Sequence, residues 1–133
     1  MIQIYTTPSC ASCRKAKKWF DQYKIPYSEK NIFSIKLSKE DIFRMLANSE
    51  NGFDDIISTR SKVFKEKKLD PDNMSVQELI EFIIDYPSVL KRPIIINENE
   101  LQVGYNNEDI TIFLPKELRN LDSFSDFDAE PIN

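Results

Sequence analysis

Thr6-Thr7-Pro8-Ser9-Cys10-Ala11-Ser12-Cys13-Arg14-Lys15 is the stretch on which the reading of this chain turns. Upstream, Ile2-Gln3-Ile4-Tyr5 alternates apolar and polar side chains, the pattern of a short strand. Downstream, Ala16, Trp19, Phe20 and Tyr23 recur at helical spacing. The order is strand, tight loop, helix, and both cysteines of the protein sit at the junction as C-x-x-C. A cysteine that opens a helix faces unpaired backbone N–H groups and the positive end of the dipole, which favour thiolate over thiol. Arg14, Lys15, Lys17 and Lys18 add positive charge nearby. With two residues between them on a first helical turn, the sulfurs reach bonding distance with little backbone movement. The stretch is therefore a candidate reversible dithiol/disulfide. Two other readings stand beside it. A structural zinc would need two more ligands, and the chain has no histidine and no third cysteine, which leaves only sites shared between chains. Inert thiols filling a small apolar space are the other, although a cationic helix start is an unusual setting for them.

Length and composition bound the rest. The 133 residues suit one domain able to bury a core without staples. With 41% hydrophobic and 30% charged residues, the expectation is an ordinary globule. No apolar run approaches membrane-spanning length and no signal peptide is recognisable, so the expected location is the cytoplasm, with no membrane contact. In that reducing compartment a disulfide is a transient redox state. The net charge of -4 is uneven: five acids against Arg119 fall in residues 117–133, leaving 17 charges of each sign before them. Residues 120–133, which include Ser123-Phe124-Ser125-Asp126-Phe127-Asp128, read as an acidic, flexible tail, with the two phenylalanines leaving docking open. A net acidic chain is not a free-standing DNA binder by composition.

Tyr27 to Ile32 reads as a second strand after Ile25-Pro26. Ser38 with Asp41 marks a helix start, followed by Ile42, Phe43, Met45 and Leu46, and Asn51-Gly52 ends that region as a turn or C-cap. A third short helix carries Lys62, Lys65, Lys67 and Lys68; Asp70-Pro71-Asp72-Asn73 is a loop. Ser75-Val76-Gln77-Glu78 is a capping box for a helix to about Asp85. Ile94-Ile95-Ile96 is too apolar for an edge strand and pairs with Leu101-Gln102-Val103-Gly104 as a hairpin. Asn106 with Asp109 opens a last helix carrying Ile110, Phe113 and Leu114. The order predicts an α/β, thioredoxin-like fold with a mixed four-stranded sheet. Residues 1–119 form one domain, with a helical insertion at about 35–88 between strands two and three.

The C-x-x-C after strand one, Ile56-Ile57-Ser58-Thr59-Arg60-Ser61, Arg92-Pro93-Ile94 and Gly104-Tyr105-Asn106 together resemble the Spx family of bacterial transcriptional regulators, related in fold to the glutaredoxin-type arsenate reductases. The resemblance spans residues 1 to about 119. It implies that Cys10 and Cys13 form a redox switch, supported by Arg92, Pro93 and Arg14. It implies a partner surface, Gly52, Arg60 and Lys62, for the C-terminal domain of the RNA polymerase α subunit, with promoter DNA met only weakly or through polymerase. It also implies activation at some promoters and interference with other activators. Family members are held low by a protease and its adaptor acting at the C-terminus, where this chain carries Glu130-Pro131-Ile132-Asn133 in place of an apolar ending. The expectation is a monomer without cofactor, metal or catalytic residue.

The residues have readings of their own. Without a Cβ, Gly52 would admit a partner's backbone, or it is a plain C-cap. In a thioredoxin-like fold the Arg92-Pro93 bond faces the C-x-x-C loop with a cis proline, and Arg92 could meet a Cys10 thiolate; the alternative is a solvated arginine. Arg60 and the lysines at 62, 65, 67 and 68 form a basic face, either solvated or open to polymerase and phosphate contact. The competing function is an arsenate reductase-like thiol oxidoreductase. It requires three converging arginines in the family, of which Arg60 and Arg92 match two. The next arginine after the 93–96 strand is Arg119.

Overall fold

Alternating side chains on two neighbouring strands decide how the layers form. The computed structural model of the protein describes residues 1–115. Its elements are β1 Ile2–Thr6, α1 Ala11–Gln22, β2 Tyr27–Asn31, α2 Lys39–Ala47, α3 Phe53–Ile56, α4 Lys62–Lys67, α5 Val76–Asp85, β3 Ile94–Ile96 and β4 Leu101–Val103. Short 3-10 turns occupy Pro71–Asn73, Pro87–Val89 and Asp109–Phe113. The sheet order is β2-β1-β3-β4. β1 runs parallel to β2 and antiparallel to β3, with Ile4 opposite Ile95, and β3 is antiparallel to β4. The fold is thus α/β with a mixed four-stranded sheet.

Period-two alternation sends successive residues of β1 and β3 to opposite faces. Ile4 and Ile95 join Ala16, Trp19 and Phe20 of α1 and Ile110, Phe113 and Leu114. Tyr5, Ile94 and Ile96 face the other way, into a cluster with Ile42 and Met45 of α2, Ile56, Phe64, and Leu79 and Ile83 of α5. This two-sided burial explains the unbroken Ile94-Ile95-Ile96 run, because a central strand covered on both faces has no solvent face. Helices α2 to α5 all lie between β2 and β3 and cover one face of the sheet.

The local signals explain most boundaries. Ser38 and Asp41 form a reciprocal capping box at α2, as do Ser75 and Glu78 at α5. Three details differ from the expectation. Gly52, at φ 64°, is the N-cap of the single-turn helix α3, not the C-cap of the helix before it. The reason is Asp55, whose carboxylate accepts from the N–H groups of Glu50 and Asn51, each at 2.9 Å, and curls the chain into a new turn. Asp70-Pro71-Asp72-Asn73 closes as a 3-10 turn with Asp70 capping Asp72 N–H. The last helix is 3-10 and stops at Phe113, because Leu114 precedes Pro115 and is extended. Arg119 and the acidic stretch 120–133, expected to be flexible, lie outside the described residues.

Asp41 also ties the insertion to the sheet. The Tyr5 hydroxyl donates to it at 2.8 Å, and Lys30 lies 3.8 Å away. Burial would raise its carboxyl, but hydrogen bonds from Ser38 N–H, the Tyr5 and Ser38 hydroxyls and the Lys30 charge hold it below the usual range. Burial in turn pushes the Tyr5 hydroxyl up, helped by its bond to Asp41. A depressed carboxylate stabilises the fold fully above its unfolded pKa, and that stability is lost as pH falls through the folded value. Asp41→Ala should cost about 1–3 kcal/mol at neutral pH through the lost cap and hydrogen bond. Urea melts from pH 7 down to about 3 should show the wild type losing more stability below about pH 4 than Asp41→Asn, since only the wild type protonates there.

Candidate redox site and adjoining groove

The site begins where β1 ends. Thr6 is buried, and its hydroxyl donates to Glu29 on β2 at 2.8 Å, fixing the end of the strand. The chain then turns through Thr7-Pro8-Ser9 into Cys10, an extended N-cap residue of α1 at φ −98°. The Cys10 sulfur accepts the Cys13 N–H at 3.0 Å, and the Arg14 N–H donates to the Cys10 carbonyl at 3.2 Å. Sulfur thus fills the place that a serine or aspartate oxygen takes at a conventional helix start. Cys10 and Cys13 are joined as a disulfide, with Cα atoms 5.2 Å apart.

The two sulfurs differ in surroundings. Cys13 is 1% exposed, whereas Cys10 is half-buried. The first turn of α1 holds no acid, and Arg14 and Lys15 are exposed beside it. In the reduced protein Cys10 therefore meets N–H groups, a helix dipole and net positive charge, all of which favour its thiolate. Lys17 contributes less than its position suggests. Its ammonium pairs with Glu29 at 3.0 Å, and that bond is the leading reason the Glu29 carboxyl titrates below its usual range. Among the described residues no three His, Cys, Asp or Glu side chains are grouped to hold a metal ion.

Opposite Cys10, the Arg92-Pro93 bond is cis and Pro93 is buried. The Pro93 carbonyl accepts the N–H of Gly104 at 2.7 Å, which links the start of β3 to the end of β4. A groove of about 650 Å³ lies between these segments, lined by Cys10, Phe33, Arg60, Ser61, Lys91 and Arg92 among others. Arg92 is half-buried and its guanidinium donates to the Ser88 carbonyl at 3.2 Å, so its position is held from the 3-10 turn before β3. Arg60, expected on the partner surface, lies in this groove with the thiol. Gly52 and Lys62 do not line it: Lys62 opens α4 in solvent and lies 3.6 Å from Glu66. Lys91 and Phe33 are groove residues that the sequence did not single out. An isolated lysine and an exposed phenylalanine carry no periodic signal, and only the tertiary fold brings them to Cys10.

Gly52 connects to the groove through backbone. Ile57 bridges Leu90, Ser58 N–H donates to the Val89 carbonyl at 2.8 Å, and Lys91 N–H donates to the Ile56 carbonyl at 2.8 Å. The Lys91 ammonium also reaches the Asp54 carbonyl at 3.1 Å. The single-turn helix behind Gly52 is therefore laced to the segment carrying Arg92. Asp55 holds the front of that turn, and the Asn51 N–H first of all keeps its carboxyl ionised to unusually low pH.

Known proteins share the sequence and the fold of this chain. The ArsC family model matches residues 5–113. The global transcriptional regulator Spx 1 of Bacillus cereus is 50% identical over 119 residues, which cover 90% of this chain and 91% of that protein. The global transcriptional regulator Spx of Bacillus subtilis is 48% identical over 120 residues, covering 90% and 92%. Among solved structures, an arsenate reductase from Vibrio cholerae superposes with a TM-score of 0.73 at 20% identity, over 85% of this chain and 97% of that one. At that identity the likeness concerns the fold.

The exposure difference gives a measurable chemistry. Reduced protein treated with one equivalent of peroxide should lose two hydrogens, released with the peroxide oxygens as water. Cys10→Ala and Cys13→Ala should show no such loss. Under iodoacetamide the reduced protein should alkylate at Cys10 about tenfold faster than at Cys13, because reactivity follows access and thiolate character. Two free thiols after full peroxide treatment would exclude the switch.

Proposed function

The chain belongs to the ArsC family and, within it, to the Spx regulators, and from that premise we propose that it is a cytoplasmic transcriptional regulator set by the state of Cys10 and Cys13. It acts by binding the C-terminal domain of the RNA polymerase α subunit and meets promoter DNA only weakly or through polymerase, activating some promoters and interfering with other activators. Gly52, Arg60 and Lys62 form the partner surface; Arg92, Pro93 and Arg14 support the thiols. It works as a monomer without cofactor and is open to removal by a protease and adaptor. Among the described residues no helix is long and apolar enough to cross a membrane.

The observation that supports a switch is the backbone lacing between the Gly52 turn and the Arg92 segment. A disulfide that pins Cys10 sets the helix start facing Arg60 and Arg92. Any shift there is passed to the 57–58 and 89–91 pairing and so to α3. Mild oxidants close the disulfide directly or through a Cys10 sulfenate.

An oxidoreductase reading has one observation in its favour, the two arginines and Lys91 in the groove with Cys10. A dianionic oxyanion calls for more: Arg60 is exposed, Arg92 is held by the Ser88 carbonyl, and the Gly104-Tyr105-Asn106 stretch supplies no third guanidinium. The purified protein should therefore reduce arsenate no faster than background with glutathione and glutaredoxin. Robust turnover would establish the enzyme.

The partner surface is tested at Gly52. A Cβ built there meets no atom within 4 Å, so the free chain has room for a side chain. Its φ of 64° with ψ −131° is strained for other residues, which costs on the order of 1–3 kcal/mol. Gly52→Ala carries that strain with little bulk, and Gly52→Arg adds the bulk. Both should fold and close the disulfide, while Arg loses α-subunit binding by more than about tenfold beyond Ala, a loss ordinary for a packed interface centre. Pull-downs with the isolated α C-terminal domain, with and without dithiothreitol, read the effect. Equal binding by the two variants would remove Gly52 from the interface.

A further inference from the structure

The groove beside Cys10 has the makings of a receptor for an acidic aromatic segment. Arg60, Lys91 and Arg92 line it, and no acidic side chain does. Phe33 lines it while 56% exposed, and the half-buried Val103 adds a second apolar contact. The groove thus offers positive charge and an apolar contact together.

The same chain carries the complementary chemistry beyond Pro115. Residues 120–133 hold Asp122, Asp126, Asp128 and Glu130 with no lysine or arginine, and Phe127 stands between two of those acids. The stretch leaves from Leu114, which is buried with Ile4 and Ala16 against α1, the helix that Cys10 caps. From 116 to 127 an extended chain spans about 40 Å, against a radius of gyration of about 13 Å for a body of this size. Reach does not restrict the tail. Another exposed apolar pair among the described residues, Phe43 and Val76, lines a cavity with one cation, Lys39, and matches the charge of the tail less well.

We propose that Asp126-Phe127-Asp128 docks back into the groove, with Phe127 against Phe33 and Val103 and its flanking carboxylates facing Arg60, Lys91 and Arg92. The docked segment covers Cys10 and Arg60 together, so one intramolecular contact shields the thiol and a partner-facing arginine. The docking itself needs no partner. Only its consequence, competition for Arg60, rests on the α-subunit reading above.

The test uses the full chain alone, so its failure is separate from any failure of polymerase binding. A photoreactive p-benzoylphenylalanine in place of Phe127 should crosslink within one chain to residue 33, 58–61 or 88–92. The yield should fall about tenfold in 1 M salt and in Asp126→Lys/Asp128→Lys, because exposed charge pairs are screened there. Crosslinks at Phe43 or Val76, crosslinked dimers, or no crosslink would each overturn the proposal. Without any probe, amides in 58–61 and 88–92 should exchange hydrogen about threefold faster in Phe127→Ala than in the wild type. Equal exchange rates would overturn it as well.

Discussion

The pairing of Ile4 with Ile95 is the constraint on which the rest of the molecule depends. These residues are fully buried, and their neighbours Tyr5, Ile94 and Ile96 are buried on the opposite face. A register slip of one residue would exchange the two sets and leave both cores wrongly filled. Because the pair is locked from both sides, the chain ends that leave it are locked too. β1 delivers Thr6 and then Cys10 to one end of the sheet, and β3 begins at that end with Arg92 and the cis Pro93. The redox site is thus where two over-determined strands release the chain.

That arrangement sets a long, packed helix against much shorter elements. Cys13 sits in the first turn of α1, packed and covered, on a helix anchored by Trp19 and Phe20 against β1 and β3. The other wall of the groove is lined by Ser58, Arg60 and Ser61 and by the 88–92 segment, which the 57–58 pairing with 89–90 joins; the one-turn α3 and the six-residue α4 flank this loop in sequence. Helices this short do not hold themselves, and they depend on the contacts at their ends. The first turn of α1 therefore faces elements held by their end contacts, and the turn carrying Gly52 is among them.

Much of the fold was legible because its signals are local. The C-x-x-C between a strand pattern and a helical pattern placed the β1–α1 junction. Ser38 with Asp41 and Ser75 with Glu78 marked two helix starts by the chemistry of orphan N–H groups. The Ile94-Ile95-Ile96 run announced a strand buried on both faces. What escaped was set by contacts distant in sequence or by unusual turns. Asn51-Gly52 was read as a turn or a C-cap, and nothing in it reveals that Asp55 will bracket the preceding amides and start another helix. The cations of the groove come from Arg60, Lys91 and Arg92, two of which stood out as arginines beside other signals. Lys91 and Phe33 did not, since only the folded sheet brings them to the thiol.

The unequal cover of the two sulfurs also fixes the regiochemistry of the disulfide. An incoming thiolate can approach only the Cys10 sulfur, so Cys10 carries the mixed disulfide and Cys13 departs. The departing sulfur is that of Cys13, which is 1% exposed and so stays out of reach of solvent thiols. Closure uses the same division of labour in reverse: once an oxidant has taken Cys10 to a sulfenate, Cys13 attacks it from within the same helical turn and water leaves. Cys10 thus meets whatever arrives from solvent, and Cys13 reacts only with Cys10.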